Sequence, residues 1–374
     1  MRHTVDNAPM CAVIAGLIAT SGCYAGTDNG RANAGDDAES GGTIGDPTEP
    51  GSEGDDGEAT GEPLDPESFE PGAVVLPRLT GVQYRNSLYA LFGTELPPTP
   101  VEPDTNPYLF YTIGATSTTL SELGAQQYEE AADAVTHAVF DDATRRATLM
   151  GCEPVAAGDG CVSEFLASFG RRVFRRPLSA QEHARWLQTS VDLAQPDAIE
   201  GVRLAVAGML QSPLFLYRVE LGEPDPEMPG RVRYTGWEMA SRLSYLLWNT
   251  MPDDALFAAA ERGDLLDRQG ITDEVERMLA DPRASETIQF FFAQFLDLGR
   301  LDGVTKDPAT YPTFTPTMPD AMRTEVELLV EDVVFRSQGD VRSIFSTRHT
   351  FVNDELAALY GVDAPGADAI TFVP

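Results

Sequence analysis

The sequence predicts an all-α body of many short helices, preceded by a disordered acidic tether. Three observations lead there. Helix-start residues recur, with Thr80, Ser179 and Thr235 each placed just before an apolar-periodic run. No stretch of the body sustains the apolar–polar alternation that a half-buried strand needs. Between Thr27 and Pro71 the composition collapses largely to Gly, Asp, Glu, Thr, Pro, Ser and Ala, with fourteen acidic residues and one basic residue, Arg31. Such a stretch buries almost nothing and repels itself, so it stays disordered.

The first residues predict export. Arg2 precedes an uncharged run, Cys11 to Thr20, followed by Ser21-Gly22-Cys23. The run is too short to span a bilayer, and the small residues after it suit a secretory cleavage site. A cysteine after Thr-Ser-Gly resembles the bacterial lipobox, in which that cysteine is lipidated and becomes the mature N-terminus. Thr20 stands where leucine is usual and Asp6 weakens the positive end, so a plain cleaved signal with an incidental cysteine is the other reading. With Cys23 lipidated, the tether reaches on the order of 40 Å as a coil and about 150 Å fully drawn out. The expected location is the cell envelope, at the outer membrane or in the periplasm, or the secreted fraction.

The folded body starts near Leu76. Thr80 opens a helix stopped by Gly93, with Tyr84, Leu88, Leu91 and Phe92 on its apolar face. A Pro-rich loop, Pro97 to Pro107, leads to a helix over about Leu120–Phe140. Val162 to Arg175 reads as a helix ended by Pro177, and Ser179 with Glu182 forms a capping box for a helix to about Leu193. Another runs from Ala198 to Gln211, where Ser212-Pro213 breaks it. Leu214 to Leu221 has strand composition but helical neighbours, which favours a short helix. Further helices are expected over Asp254–Glu261, Thr272–Leu279, Ser285–Leu298, Asp320–Arg336 and Asp354–Tyr360.

Thr235 to Trp248 is expected to be the hub. Thr235 and Glu238 form a second capping box, and Trp237, Met239, Ala240, Leu243, Leu246, Leu247 and Trp248 surround most of the helix. Its larger polar residues, Glu238, Arg242, Tyr245 and Asn249, fall on one narrow stripe.

Three blocks carry a family resemblance. L-P-R-L-T-G-V-Q-Y-R-N-S-L-Y-A-L-F-G, Leu76 to Gly93, resembles the third planctomycete-specific domain. Cys161 to Glu220, with F-G-R-R-V-F-R-R-P-L-S and Q-S-P-L-F-L-Y-R-V-E, resembles the fifth. Tyr234 to Val362, through E-M-A-S-R-L-S-Y-L-L-W-N-T-M-P-D-D-A-L and T-F-V-N-D-E-L-A-A-L-Y-G, resembles the fourth. The expected layout is a signal over 1–23, a linker over 24–71, and helices similar to the third, fifth and fourth domains over 72–150, 151–225 and 226–374. The resemblance implies domains of unknown function, common in planctomycetes and myxobacteria and often joined to a cytochrome-c-like domain. It also implies a further, cytochrome-associated region beginning about where the chain reaches Pro374. No C-x-x-C-H occurs, so no covalent c-type haem and no other cofactor is expected within the chain.

The chemistry-bearing residues have structural readings beside functional ones. Cys152 and Cys161, eight residues apart in a Gly- and Ala-rich loop, fit neither a redox C-x-x-C nor a zinc knuckle, and in an exported protein they predict a disulfide. Arg171, Arg172, Arg175 and Arg176 are the dense basic cluster of an acidic body. They are an anion-site candidate, because guanidinium forks match carboxylate and phosphate, or else cations that complement a helix C-terminus. Glu325, Glu327, Glu331 and Asp332 read as a salt-bridged helix surface, and Asp253-Asp254 as an N-cap. The histidines His3, His137, His183 and His349 are scattered, and no metal motif is expected.

The net charge of -33 argues against a nucleic-acid partner, since phosphate demands a basic surface. The function expected from all this is a binding or scaffold module in the envelope, held to the membrane by a lipid. Its expected partner is an envelope protein, with a c-type cytochrome implied by the family alone. The alternative is an extracellular hydrolase that acts on polysaccharide through a carboxylate pair, a chemistry with no spacing signature.

Overall fold

The computed structural model describes residues 76–106, 109–117, 119–226, 228–337 and 340–374. The export segment, Cys23 and the acidic stretch lie outside them. Fourteen α-helices and one two-stranded ribbon form the regular structure of the described residues, joined by short 3-10 turns. None of these helices is long and apolar enough to cross a membrane.

A first group of helices runs from α1 to α8. In α1 (Gly81–Phe92) the Thr80 side chain accepts from the Gln83 N–H while the Gln83 side chain accepts from the Thr80 N–H, a capping box that the Thr80 signal only half announces. Next come α2 (Tyr111–Ser117), α3 (Glu122–Phe140) and α4 (Ala143–Met150). Neither α2 nor α4 is expected from the sequence, and each is held by distant groups. The Tyr111 N–H donates to the side chain of Gln294, and Arg145 of α4 donates to the carbonyls of Ala138 and Phe92. Then follow α5 (Gly160–Val173), α6 (Ala180–Asp192), α7 (Ala198–Gln211) and the single turn α8 (Pro213–Leu216). Helix α7 packs along both α3 and α6, and α5 lies against α6 and α7. Their facing residues, among them Tyr128, Val135, Phe165, Leu166, Val206 and Met209, form one continuous buried core. Cys152 and Cys161 are bonded, with Cα atoms 5.9 Å apart, which closes the loop that leads into α5.

The Leu214–Leu221 stretch divides between the two conformations its composition allows. Its helix stops at Leu216, and Tyr217 is extended and bridges Arg78 at the start of the body. A ribbon that the sequence reading omits follows, with β1 (Glu223–Pro224) antiparallel to β2 (Val232–Arg233). Two residues per strand leave no period to read.

The second group begins with α9 (Gly236–Leu247), opened by the Thr235–Glu238 capping box. Around it lie α10 (Asp254–Arg262), α11 (Arg268–Leu279) and α12 (Pro282–Phe295). Both α11 and α12 start earlier than expected, because Asp267 and Asp281 accept from backbone N–H groups and act as N-caps. Helix α12 also ends earlier, before Asp297 takes a left-handed φ of 53°. Helix α13 (Met318–Glu331) packs on α12 and α14 (Asp354–Tyr360), and runs on as a π turn over Asp332–Arg336. A small separate core of Met318, Ala321, Val352, Leu356 and Ala357 joins α13 to α14.

Helix α9 is a junction rather than the centre of the larger core. Ala240, Leu243 and Leu247 are buried on the side of α10 to α12, whereas Tyr245 enters the first core. The polar stripe turns inward: Tyr245 and Asn249 are buried, and Leu246 faces outward at 40 % exposure. Leu243→Ala should therefore lower stability by about 2–5 kcal/mol, the range for truncating a buried leucine. Urea unfolding followed by circular dichroism measures it, and an unchanged midpoint would place Leu243 outside the packed interior.

Candidate functional site

The four arginines of the basic cluster part company at the end of α5. Arg171 reaches Glu261 of α10 at 3.4 Å and lies over the rings of Trp237 and Phe257, at 5.7 and 5.6 Å from their centroids. Arg172 donates to the Ala90 carbonyl of α1 at 2.7 Å, where a cation complements the helix C-terminus. Arg175 turns inward. It is 4 % exposed, sits at φ 57°, and donates to the carbonyls of Leu214 (2.9 Å), Tyr217 (2.7 Å), Phe215 (3.2 Å) and Val173 (3.3 Å). Arg176 makes a two-pronged pair with Glu182, at 2.8 and 3.0 Å. The cluster thus forms no common anion-binding surface. Its side chains diverge because Arg171 and Arg172 project from successive positions of α5 while Arg175, at a left-handed φ, and Arg176 lie beyond its end, and each finds a separate acceptor.

Glu182 is held down to about 2 by the hydrogen bonds from Arg176, reinforced by the Ser179 N–H. Its folded value lies below its ordinary 4.5, so its contribution is present above pH 4.5 and is lost as pH falls through about 2. Stability of Glu182→Gln should therefore approach that of the parent as pH drops across this window. Urea midpoints at pH 6 and at the acid end measure the convergence, and a constant gap would remove Glu182 from the acid response.

A second polar group forms where α9 meets the extended chain after α8. Glu220 is almost fully buried and pairs with Arg242 of α9. Arg218 lies with its Nε 4.0 Å from Glu220 Oε1. The ring of Tyr245 lies beneath both Arg175 and Arg218, at 5.7 and 5.9 Å, and its hydroxyl meets Ser87 Oγ of α1 at 2.9 Å. Nearby, Asn86 donates to the Asn249 carbonyl at 3.1 Å. This is where the inward polar stripe of α9 ends. Spacing placed those residues on one face, but the side on which that face lay was decided by the distant Ser87, Arg218 and Glu220.

The remaining candidates resolve into structural roles. Asp253 caps α10 and pairs with Arg277. His137 lies between Asp133 and Asp141, and His183 meets the Ser163 carbonyl at 3.0 Å. Glu325 accepts from Thr350 at 2.6 Å and Tyr360 at 2.7 Å. Glu327, two residues on and so on a different side of α13, is raised above the ordinary carboxylate range by burial, against the pull of Arg323. Among the described residues no three His, Cys, Asp or Glu side chains gather as a metal-ligand set.

One exposed surface is apolar. Phe291 stacks on Phe110 (5.2 Å, 20°) and on Phe295 (6.0 Å, 12°), and Phe295 meets Phe345 edge-on at 5.9 Å. Phe291, Phe295 and Phe345 remain 37, 44 and 62 % exposed, with Leu109, Ile113 and Leu296 also open. The sequence signal was the run Phe290-Phe291-Phe292 with Phe295, which reads equally well as core.

Three family models match in chain order: PSD3 (DUF1587) over 78–141, PSD5 (DUF1595) over 161–220 and PSD4 (DUF1592) over 234–362, each described as a protein of unknown function. The chain carries the third, fifth and fourth planctomycete-specific domains. No curated protein and no solved structure matches it. The polar groups above lie where these domains meet. Arg172 ties the fifth domain to the third, Arg171 and Glu220 tie it to the fourth, and Ser87 with Asn86 ties the third to the fourth.

Proposed function

We propose that the chain is an exported, lipid-anchored binding module that docks a basic envelope protein, with a c-type cytochrome as its candidate partner. The phenylalanine ladder of Phe110, Phe291, Phe295 and Phe345 carries this reading. Phe291, Phe295 and Phe345 are exposed, with Phe110 half-buried against Phe291, and contiguous exposed aromatics are costly in water and mark interaction surfaces. The rest of the surface supports a basic partner: once the -13 of residues 27–71 is set aside, the chain still bears -20. Cys23 supplies the anchor and the acidic stretch the tether. The cytochrome rests on the frequent joining of such domains to cytochrome-c-like ones.

The test is binding of the full chain to a purified basic c-type cytochrome by surface plasmon resonance. Affinity should fall as salt rises, because the Debye length shrinks from about 10 Å at 0.1 M to about 3 Å at 1 M. It should fall at least tenfold in Phe295→Asp and Phe345→Asp, with the fold unchanged by circular dichroism. Binding that ignores both phenylalanines defeats the docking surface. Glycan turnover by the purified chain, lost on changing a carboxylate, decides for a hydrolase instead. Mass spectrometry of the native N-terminus tests the anchor, and an unmodified start elsewhere than Cys23 excludes it.

A further inference from the structure

We propose that the Cys152–Cys161 bridge is an exchangeable disulfide, opened by attack of a thiol at Cys152 with Cys161 as the leaving thiolate. The two halves of the bridge differ in access. Cys152 is exposed, whereas Cys161 is half-buried in the first turn of α5. They differ also in the field around them. Cys152 follows Gly151, the left-handed residue that closes α4, so it stands at a helix C-terminus, whereas Cys161 stands at a helix N-terminus. A helix disfavours negative charge at its C-terminal end and stabilises a thiolate at its N-terminal end. The sulfur within reach of a thiol is thus the poorer leaving group, and the shielded one is the better. Exchange is fastest with that division of roles.

The loop between the cysteines is closed without the bridge. Asp159 accepts from the Val162 N–H at 3.0 Å, and its other carboxylate oxygen accepts from the N–H groups of Val155 at 2.7 Å and Ala156 at 3.2 Å. At the other end the Gly151 N–H meets the Ala147 carbonyl at 2.9 Å, and Arg146 of α4 lies 3.6 Å from Glu153. The loop's two carboxylates, Glu153 and Asp159, are therefore both engaged. Its outer side is uncovered, with Val155 94 % exposed between exposed Glu153 and Ala156. These contacts keep the sulfurs near each other once the bond between them is broken, so the bridge can open and re-form while the body stays folded. In the first step a bond forms from the incoming sulfur to Cys152 Sγ, and the electron pair of the broken bond passes to Cys161 Sγ. A second thiol then displaces Cys152, so two thiols are oxidised to one disulfide while the bridge takes up two electrons and two protons.

The experiment is brief exposure of the folded full chain to reduced glutathione, quenched with excess N-ethylmaleimide and followed by peptide mapping. Glutathione is expected on Cys152 and the maleimide on Cys161, at least tenfold over the reverse arrangement. Circular dichroism of the fully reduced chain should match that of the parent, and oxidised glutathione should restore the bridge. Asp159→Ala removes the pins of the loop and leaves both sulfurs, so at least tenfold slower re-formation is expected there. Glutathione on Cys161 or equally on both cysteines overturns the proposal. So does a bridge that yields only in denaturant, or re-formation at the parental rate in Asp159→Ala, and the disulfide is then a structural staple. The mapping needs no variant, so it decides even if Asp159→Ala fails to fold.

Discussion

Arg175→Ala should cost on the order of 4 kcal/mol and leave much of the protein unfolded at room temperature. The side chain is 4 % exposed and its guanidinium is shared among the carbonyls of Val173, Leu214, Phe215 and Tyr217. Hydrogen bonds to a charged group contribute about 1.5–3 kcal/mol each, and orphaned buried carbonyls keep their full desolvation cost. The figure stays well below the sum of four because such losses are not additive. A second variant separates side chain from backbone. Arg175 has φ 57°, which glycine adopts freely, so Arg175→Gly should be more stable than Arg175→Ala by about 1 kcal/mol. Urea midpoints of the two variants test both statements. If alanine proves the more stable of the two, the left-handed backbone is not what the parent has to sustain.

Gly201→Ala should be nearly as damaging, at about 3 kcal/mol or more, for the opposite reason. Gly201 lies in the first turn of α7, where a Cβ would overlap the Ser190 carbonyl oxygen of α6 and meet Ala194 Cα at 3.0 Å. Both obstacles are backbone, so no rotamer change relieves the overlap. The cost is the separation of α6 from α7, which carries Val202 and Val206 into the larger core. Gly93→Ala makes a useful comparison, since nothing lies within 4 Å of its Cβ and only its φ of 85° is strained. Thermal melts should rank Gly201→Ala clearly below Gly93→Ala, and the reverse order would mean that the two helices part easily.

Much of the fold was legible because its helices announce themselves locally. Ser179 with Glu182 and Thr235 with Glu238 each close a capping box in the structure. Helix α2 was not legible, since Gln294 lies far along the chain from Tyr111, whereas α4 carried local signals that went unread, an N-cap at Asp142 and a left-handed Gly151 at its end. The same physics limits the site. Periodicity placed Arg242, Tyr245 and Asn249 on one stripe, but a stripe faces water unless polar partners meet it. Ser87, Arg218 and Glu220, which meet it here, show no spacing relation to α9 in the sequence. Density of like residues left two readings open, an anion site or separate structural partners, and the four arginines after Phe169 are neighbours in the chain and not in their partners.

The bridge between Arg78 and Tyr217 bears on how such a protein can be inherited. The Leu79 N–H meets the Leu216 carbonyl at 2.8 Å, and the Arg218 N–H meets the Pro77 carbonyl, joining the first described residues of the body to the end of the fifth domain. A cut between the third and fifth domains would separate these partners, divide one buried core and strip Arg172 of its acceptor. The two sequence families therefore do not mark two independently transferable parts. Recombination that moved either one alone would deliver an open half, so exchange among related genes is constrained to carry the stretch from Pro77 to Glu220 as a block. Truncated clones made at the family boundaries would meet the same obstacle and emerge as aggregates, with the apolar faces of α3 and α7 parted.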